Sequence, residues 1–181
     1  MFGYLVATLL VVSGLVLVGY SFLIRDPFAS AALLAQQPPS NSTMTLTVPE
    51  MRRVEGVPVY TGAVHDKGAL HDGTLHLNST GFPWQRGANV YIAGHRVGYP
   101  GTKSNLVFWD LDKMKKGDEI FLTDADGTRY TYQVFEKRVI SPNTVSIMRP
   151  TKGKNIVSLQ TCTLPDYSHR LIVQGELKSK K

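Results

Sequence analysis

One cysteine, Cys162, stands among 181 residues, so no internal disulfide can staple the fold. From Met1 to Ile24 there is no Asp, Glu, Lys or Arg, which excludes that stretch from an ordinary solvated surface. Acidic residues are the minority charge, 14 against 20 Lys and Arg, giving a formal net charge of +6 and a pI near 9.5. The two signs are mixed along the chain except in the tail Lys178-Ser179-Lys180-Lys181, and no stacking motif of an RNA- or DNA-binding module is present. The basic excess therefore reads as solvated surface near an anionic membrane or wall, not as a nucleic-acid site. No internal repeat is found, and nothing suggests a second folded domain.

What is present begins with the apolar run. Leu, Val, Ile and Phe dominate Tyr4 to Ile24, and about 20 such residues suffice to cross a bilayer as a helix. Ala29-Ser30-Ala31 resembles a cleavage site, but the run exceeds the ~7 to 15 apolar residues of a signal core and no basic residue precedes it. Residues 1–25 are thus expected to form an uncleaved transmembrane anchor. Arg25, just after the span, gives weak and mildly contrary advice for a domain outside the cell. Residues 26–43, rich in Ala, Gln, Pro and Ser, read as a linker, and residues 44–181 as the folded domain.

Within that domain the pattern is mostly strands. Met44, Leu46 and Val48 alternate with threonines; Val57–Tyr60, Val90–Ala93, Glu119–Thr123, Arg129–Ile140, Ile156–Thr161 and Arg170–Leu177 are further extended runs. Asp124-Ala125-Asp126-Gly127 reads as a hairpin turn, Ser141 to Asn155 as a long connection, and Leu106 to Met114 as one helical turn. Between Gly62 and Gly87 a short helix or turn followed by irregular loop is expected. Many short strands with one or two short helices describe a mainly β, closed or nearly closed barrel.

Two of these strands end in reactive side chains. Ile156-Val157-Ser158-Leu159-Gln160-Thr161 delivers Cys162, and Asn89-Val90-Tyr91-Ile92-Ala93-Gly94 delivers His95, while Arg170 opens the last strand. A thiol attacks carbonyls as the thiolate and needs a cationic neighbour to be ionised at neutral pH. The oxyanion formed by attack on an amide needs a donor, which a guanidinium supplies, and the departing amine needs a proton, which an imidazole can give and later take back. Cys162, His95 and Arg170 are therefore a complete set for acyl transfer if the fold brings them together.

Ser158-Leu159-Gln160-Thr161-Cys162 followed by Arg170 resembles the Leu-x-Thr-Cys strand and downstream Arg of sortases, the membrane-anchored cysteine transpeptidases of Gram-positive bacteria. Ala93-Gly94-His95-Arg96 is similar to their histidine strand, and Phe108-Trp109-Asp110-Leu111-Asp112 through Gly117-Asp118 to the segment that follows it. The resemblance covers Met44 to Leu177 and implies an eight-stranded β-barrel. It implies Cys162 as the nucleophile that cleaves a C-terminal sorting signal between Thr and Gly through a thioester. It implies His95 as general acid then base, Arg170 as oxyanion and substrate stabiliser, and Thr161 as a residue that helps position the substrate. Tyr99 and Pro100 are expected to line the peptide groove. The implied partners are surface proteins carrying the signal, a lipid-linked peptidoglycan precursor or other wall amine as acceptor, and the cell membrane, with the catalytic domain outside. No cofactor and no metal site are implied.

Gly94-His95-Arg96 looks most like class E, the housekeeping type of actinobacteria, for which a Leu-Ala-x-Thr-Gly signal is expected. Asp26-Pro27-Phe28 resembles the lid motif of pilus-building class C enzymes, yet abuts the apolar span and reads more simply as a helix-ending Asp-Pro. Ser158 stands where the family usually has Thr and keeps a hydroxyl. The alternatives are a pilus-assembling sortase, a secreted cysteine peptidase that only hydrolyses, and a membrane-tethered binding module. His169 could rival His95, but neighbours on a strand point to opposite faces. His65, His71 and His76 with Asp66 and Asp72, and Asp124 with Asp126, lack metal-ligand spacing and read as surface loop and hairpin turn.

Overall fold

In the longest strand, Arg129–Ile140 (β6), Tyr130, Tyr132 and Val134 are buried while the residues between them are partly or fully exposed. That alternation turns one face of the pleat inward and fixes the register of everything paired to it. A computed structural model describes residues 38–64 and 66–181. The other strands are Met44–Thr47 (β1), Val57–Gly62 (β2), Thr74–Leu77 (β3), Asn89–Ala93 (β4), Glu119–Asp124 (β5), Ile156–Cys162 (β7) and Arg170–Lys180 (β8). They close into one barrel in the order β1-β2-β3-β4-β7-β8-β6-β5. Residues Pro39–Lys181 form one compact unit.

Most neighbours are antiparallel, but β2–β3 and β4–β7 run parallel. The first parallel pair is bridged by the helix Lys67–Asp72 (α1), whose N-terminus is capped by Asp66 accepting from the Ala69 amide at 3.2 Å. The barrel interior is filled by Leu46, Val59, Val90, Ile92, Ile120, Leu122, Tyr132, Leu159 and Val173 among others. A second, smaller apolar cluster lies against the outer face, where Ala69, Leu75, Leu77, Tyr91 and Ile172 meet Ile140, Ile147 and Met148.

The eight-stranded barrel with few short helices matches the expectation; the segment from Gly62 to Gly87 does not. Thr74–Leu77 is a strand, not irregular loop, and all four of its residues are buried. Thr74, Leu75, His76 and Leu77 alternate polar with apolar, but over four residues only, a run too short to announce a strand among the surrounding glycines and polar residues; Leu75 and Leu77 lie in the outer cluster, and the polar Thr74 and His76 are buried as well. His76, assigned to the surface, is fully buried there. Its Nε2 meets the Gly81 carbonyl at 3.0 Å and its Nδ1 the Thr61 hydroxyl at 3.2 Å. The basic tail is likewise the end of β8, with Lys180 paired to Tyr130. The expected anchor at 1–25, most of the linker, Asp26-Pro27-Phe28 and His65 lie outside the described residues. Among the described residues no helix is long and apolar enough to cross a membrane.

Candidate active site

The antiparallel pairing of β7 with β8 sets Cys162 directly opposite Arg170. Directly opposed residues of an antiparallel pair project from the same face, so thiol and guanidinium emerge together at one end of the barrel. Along β7 the inward positions are Val157, Leu159 and Thr161, all buried, whereas Gln160 and Cys162 are half-buried on the outer face.

The parallel neighbour β4 brings the imidazole. Its last register pair is Ala93 with Gln160, and the Gly94 amide continues the ladder to the Gln160 carbonyl at 3.0 Å. The Thr161 hydroxyl then donates to the Gly94 carbonyl at 2.8 Å. Carried forward, this register sets His95 alongside Cys162. The turn after it is closely packed: the Phe108 amide donates to the His95 carbonyl at 2.9 Å. A Cβ on Gly94 would lie 2.6 Å from the Phe108 ring, and one on Gly98 would lie 3.0 Å from the His95 ring. At Gly94 a side chain would force the Phe108 ring to shift, whereas at Gly98 the His95 ring would have to give by a few tenths of an ångström. His95 is half-buried, and the loss of hydration holds its pKa below the ordinary 6.5. Arg96, next in the chain, is turned away into an ion pair with Asp112 at 2.7 Å and lies over the Trp109 ring.

Arg170 is aimed by the loop between β7 and β8. Its Nη1 donates to the carbonyls of Tyr167 and His169, each at 3.0 Å, and Tyr167 holds a left-handed φ of 58°. Such a conformation in a bulky residue stores local strain at a loop that positions a charge. Below the pair, the Tyr91 hydroxyl donates to Gln160 Oε1 at 2.9 Å. Burial pushes that phenol far up, with the Arg170 charge acting in the opposite sense. The arrangement offers a nucleophilic sulfur, a half-buried imidazole and a fixed cation around one opening, the elements of nucleophilic acyl transfer.

The structure thus gathers His95, Cys162 and Arg170 at the ends of β4, β7 and β8. Tyr99 stands beside them, 70 % exposed, with its ring edge-on to His95 at 6.3 Å between centroids. Thr161 is 0 % exposed and faces the barrel interior, where its hydroxyl ties the two site strands together. His169 is exposed and bonds Ser168 through Nδ1 at 2.8 Å. His71 pairs with Asp72 at 3.0 Å on the surface. Asp124 accepts from the amides of Asp126 and Thr128 and from the Tyr130 hydroxyl, as a hairpin turn requires. Gly98 and Gln160, beside the site, are not singled out by the sequence pattern. For Gln160 the signal was its spacing, two before Cys162 and so on the same strand face.

Residues 46–178 match the sequence model of the Sortase domain family. Sortase A of Streptococcus agalactiae serotype III is 30% identical over 162 residues, covering 88% of this chain and 63% of the relative. The chain therefore spans less than two thirds of that relative, and 38% of the similar sortase A of Listeria monocytogenes. Among solved structures, sortase A from Corynebacterium diphtheriae is similar at TM-score 0.67 and 26% identity, covering 77% of this chain and 61% of that one. The Group B Streptococcus pilus island 1 sortase C2 is similar at TM-score 0.66 and 29% identity, covering 75% of this chain and 73% of that one.

Proposed function

The chain belongs to the sortase family, and from that premise we propose that it is a cysteine transpeptidase that cleaves a C-terminal sorting signal and joins the released carboxyl group to an amine. The observation that carries the reading is the Cys162–Arg170 strand pair, with His95 tied alongside through Thr161 and Gly94.

In the proposed sequence the Cys162 thiolate attacks the carbonyl carbon of the signal threonine, and the C=O electrons move onto oxygen. Arg170 stabilises that oxyanion with guanidinium donors. Its Nη1 is held by two loop carbonyls, which fixes the plane of the fork. Collapse breaks the Thr–Gly C–N bond, and protonated His95 gives its proton to the departing amine. The thioester is then attacked by the acceptor amine, neutral His95 takes the amine's proton, and the thiolate leaves. Tyr99, exposed at the edge of His95, lines the groove through which the peptide reaches the sulfur.

Residues 44–181 are the catalytic domain on this reading, and residues 1–25 its membrane anchor, with the catalysis outside the cell. The acceptor is a lipid-linked wall precursor or another wall amine. Gly94-His95-Arg96 favours class E and a Leu-Ala-x-Thr-Gly signal. A second reading, pilus assembly, draws on the similarity to a sortase named for a pilus island and on Asp26-Pro27-Phe28.

The test is mass spectrometry of the chain with a panel of sorting-signal peptides, with and without an added amine. A thioester on Cys162 and an amine adduct are expected, neither with Cys162→Ala, and losses of at least ~100-fold with His95→Ala or Arg170→Ala. Hydrolysis alone, with no amine adduct, would make the chain a peptidase. Turnover persisting in Cys162→Ala would remove covalent catalysis altogether.

A further inference from the structure

The chain leaves β4 at His95 and returns to the same point, where the Phe108 amide donates to the His95 carbonyl at 2.9 Å. Within this loop one side chain braces the outgoing limb against the returning one: Asn105 Oδ1 accepts from the Gly98 amide at 3.1 Å. The Asn105 amide itself donates to the Thr102 carbonyl at 3.3 Å. The returning limb is also fixed from outside the loop. Ser104, 0 % exposed, donates through Oγ to the carbonyls of Leu70 and His71 in α1, the second at 2.9 Å. Leu106, next to Asn105, holds a left-handed φ of 63°, a conformation that a residue other than glycine keeps only where its surroundings enforce it.

Gly98 is where this brace meets the chemistry. The three atoms nearest to a Cβ built at Gly98 all belong to His95: Cδ2 at 3.0 Å, Cγ at 3.1 Å and Cβ at 3.2 Å. The Gly98 backbone therefore lies against the imidazole, and the bond from its amide to Asn105 keeps it there. A ring that gives and takes protons must hold its direction, since a misplacement of about 1 Å can cost roughly 100-fold in rate.

We propose that Asn105 is a positioning residue for the His95 imidazole: by fastening the Gly98 amide it holds the glycine backbone against the ring and so fixes the direction in which the ring points. Asn105 acts through Gly98, and the bond to Gly98 uses its side-chain oxygen alone. An aspartate at this position therefore keeps the acceptor, whereas an apolar residue of similar size does not. The kinetic part of this inference rests on the proposed transpeptidase activity, and the structural part does not.

The experiment joins NMR of the full-length chain, reading exchange of the Gly98 amide and the His95 ring Cδ2–H resonance, to Michaelis kinetics with a sorting-signal peptide and an added amine. Asn105→Leu keeps the bulk and removes the acceptor. Gly98 exchange should rise about 10-fold with β5 protection unchanged, the scale of one lost hydrogen bond, and the ring resonance should shift. In the same variant kcat should fall about 10-fold with KM within about threefold, because the peptide still binds while the proton donor is misaligned. Asn105→Asp should return both Gly98 protection and kcat to within about threefold of wild type. If Asn105→Leu does not fold, Gly98→Ala decides the matter: it keeps the amide bond but presses on the ring, so the resonance should shift and kcat should fall by at least about threefold. Unchanged Gly98 exchange in folded Asn105→Leu, an unmoved ring resonance, wild-type kcat in the variants that disturb the ring, or no recovery with Asn105→Asp overturns the proposal. A wild-type chain without turnover would count against the catalytic reading, while the exchange and ring measurements would still decide whether Asn105 holds Gly98 on the imidazole.

Discussion

The Thr161 hydroxyl donates to the Gly94 carbonyl across 2.8 Å, linking the residue before Cys162 to the residue before His95. This one bond spans strands that run parallel and are far apart in the chain, so it sets how imidazole and sulfur face each other. Thr161→Val preserves the shape and leaves the buried carbonyl without a partner. The expected loss is about 1–3 kcal/mol in unfolding free energy, with kcat reduced about 10-fold through a misplaced imidazole. Denaturant titration and steady-state kinetics check both; wild-type values in each would strip the bond of its role.

Gly94 carries a second constraint, because Phe108, itself fully buried, packs its ring onto the glycine backbone. Gly94→Ala should therefore lower stability by about 1–3 kcal/mol, the usual cost of overpacking. The partner variant Phe108→Leu makes room, so a double-mutant cycle should show coupling between the two positions. Additive effects would mean that the ring and the glycine do not meet in solution.

For the cation, charge alone is not expected to suffice. Arg170 spans two loop carbonyls with one nitrogen, and in the proposed reaction the rest of its fork would face the substrate oxyanion. Arg170→Lys retains the charge and loses the planar fork, so kcat/KM should fall by at least about 10-fold with little change in thermal midpoint. Full activity in Arg170→Lys would reduce the role of Arg170 to a point charge.

Stability should also depend on pH through histidine. Burial holds His76 below its ordinary 6.5 despite the opposing bond to the Gly81 carbonyl, and burial does the same to His95. When the folded pKa is the lower one, the unfolded chain binds protons more readily between the two values. Stability is then full above about pH 6.5 and is lost as pH falls below it. His76→Gln should flatten the decline of the melting temperature between about pH 7 and pH 5. An unflattened decline would point to other groups as its source.

Much of this architecture could be read before any coordinates. β6 is legible because Tyr130, Tyr132 and Val134 alternate with more exposed neighbours, and the hairpin after β5 because Asp124 and Gly127 supply turn chemistry. β3 was not legible, since the alternation of Thr74, Leu75, His76 and Leu77 lasts only four residues and its polar members, Thr74 and His76, are buried rather than solvated. The side-chain hydrogen bonds that join Asn89, Ser158 and Gln174 were equally hidden: each residue is an unremarkable polar position in its own strand, and only pairing between strands makes them partners.

The sequence by itself determined which side chains can do chemistry and where strands run, because reactivity belongs to a residue and alternation to its immediate neighbours. The register of β4, β7 and β8 was decided only in three dimensions. It rests on backbone hydrogen bonds and buried contacts between segments such as Gly94 and Thr161, 67 positions apart, and those contacts turn a cysteine, a histidine and an arginine into one site.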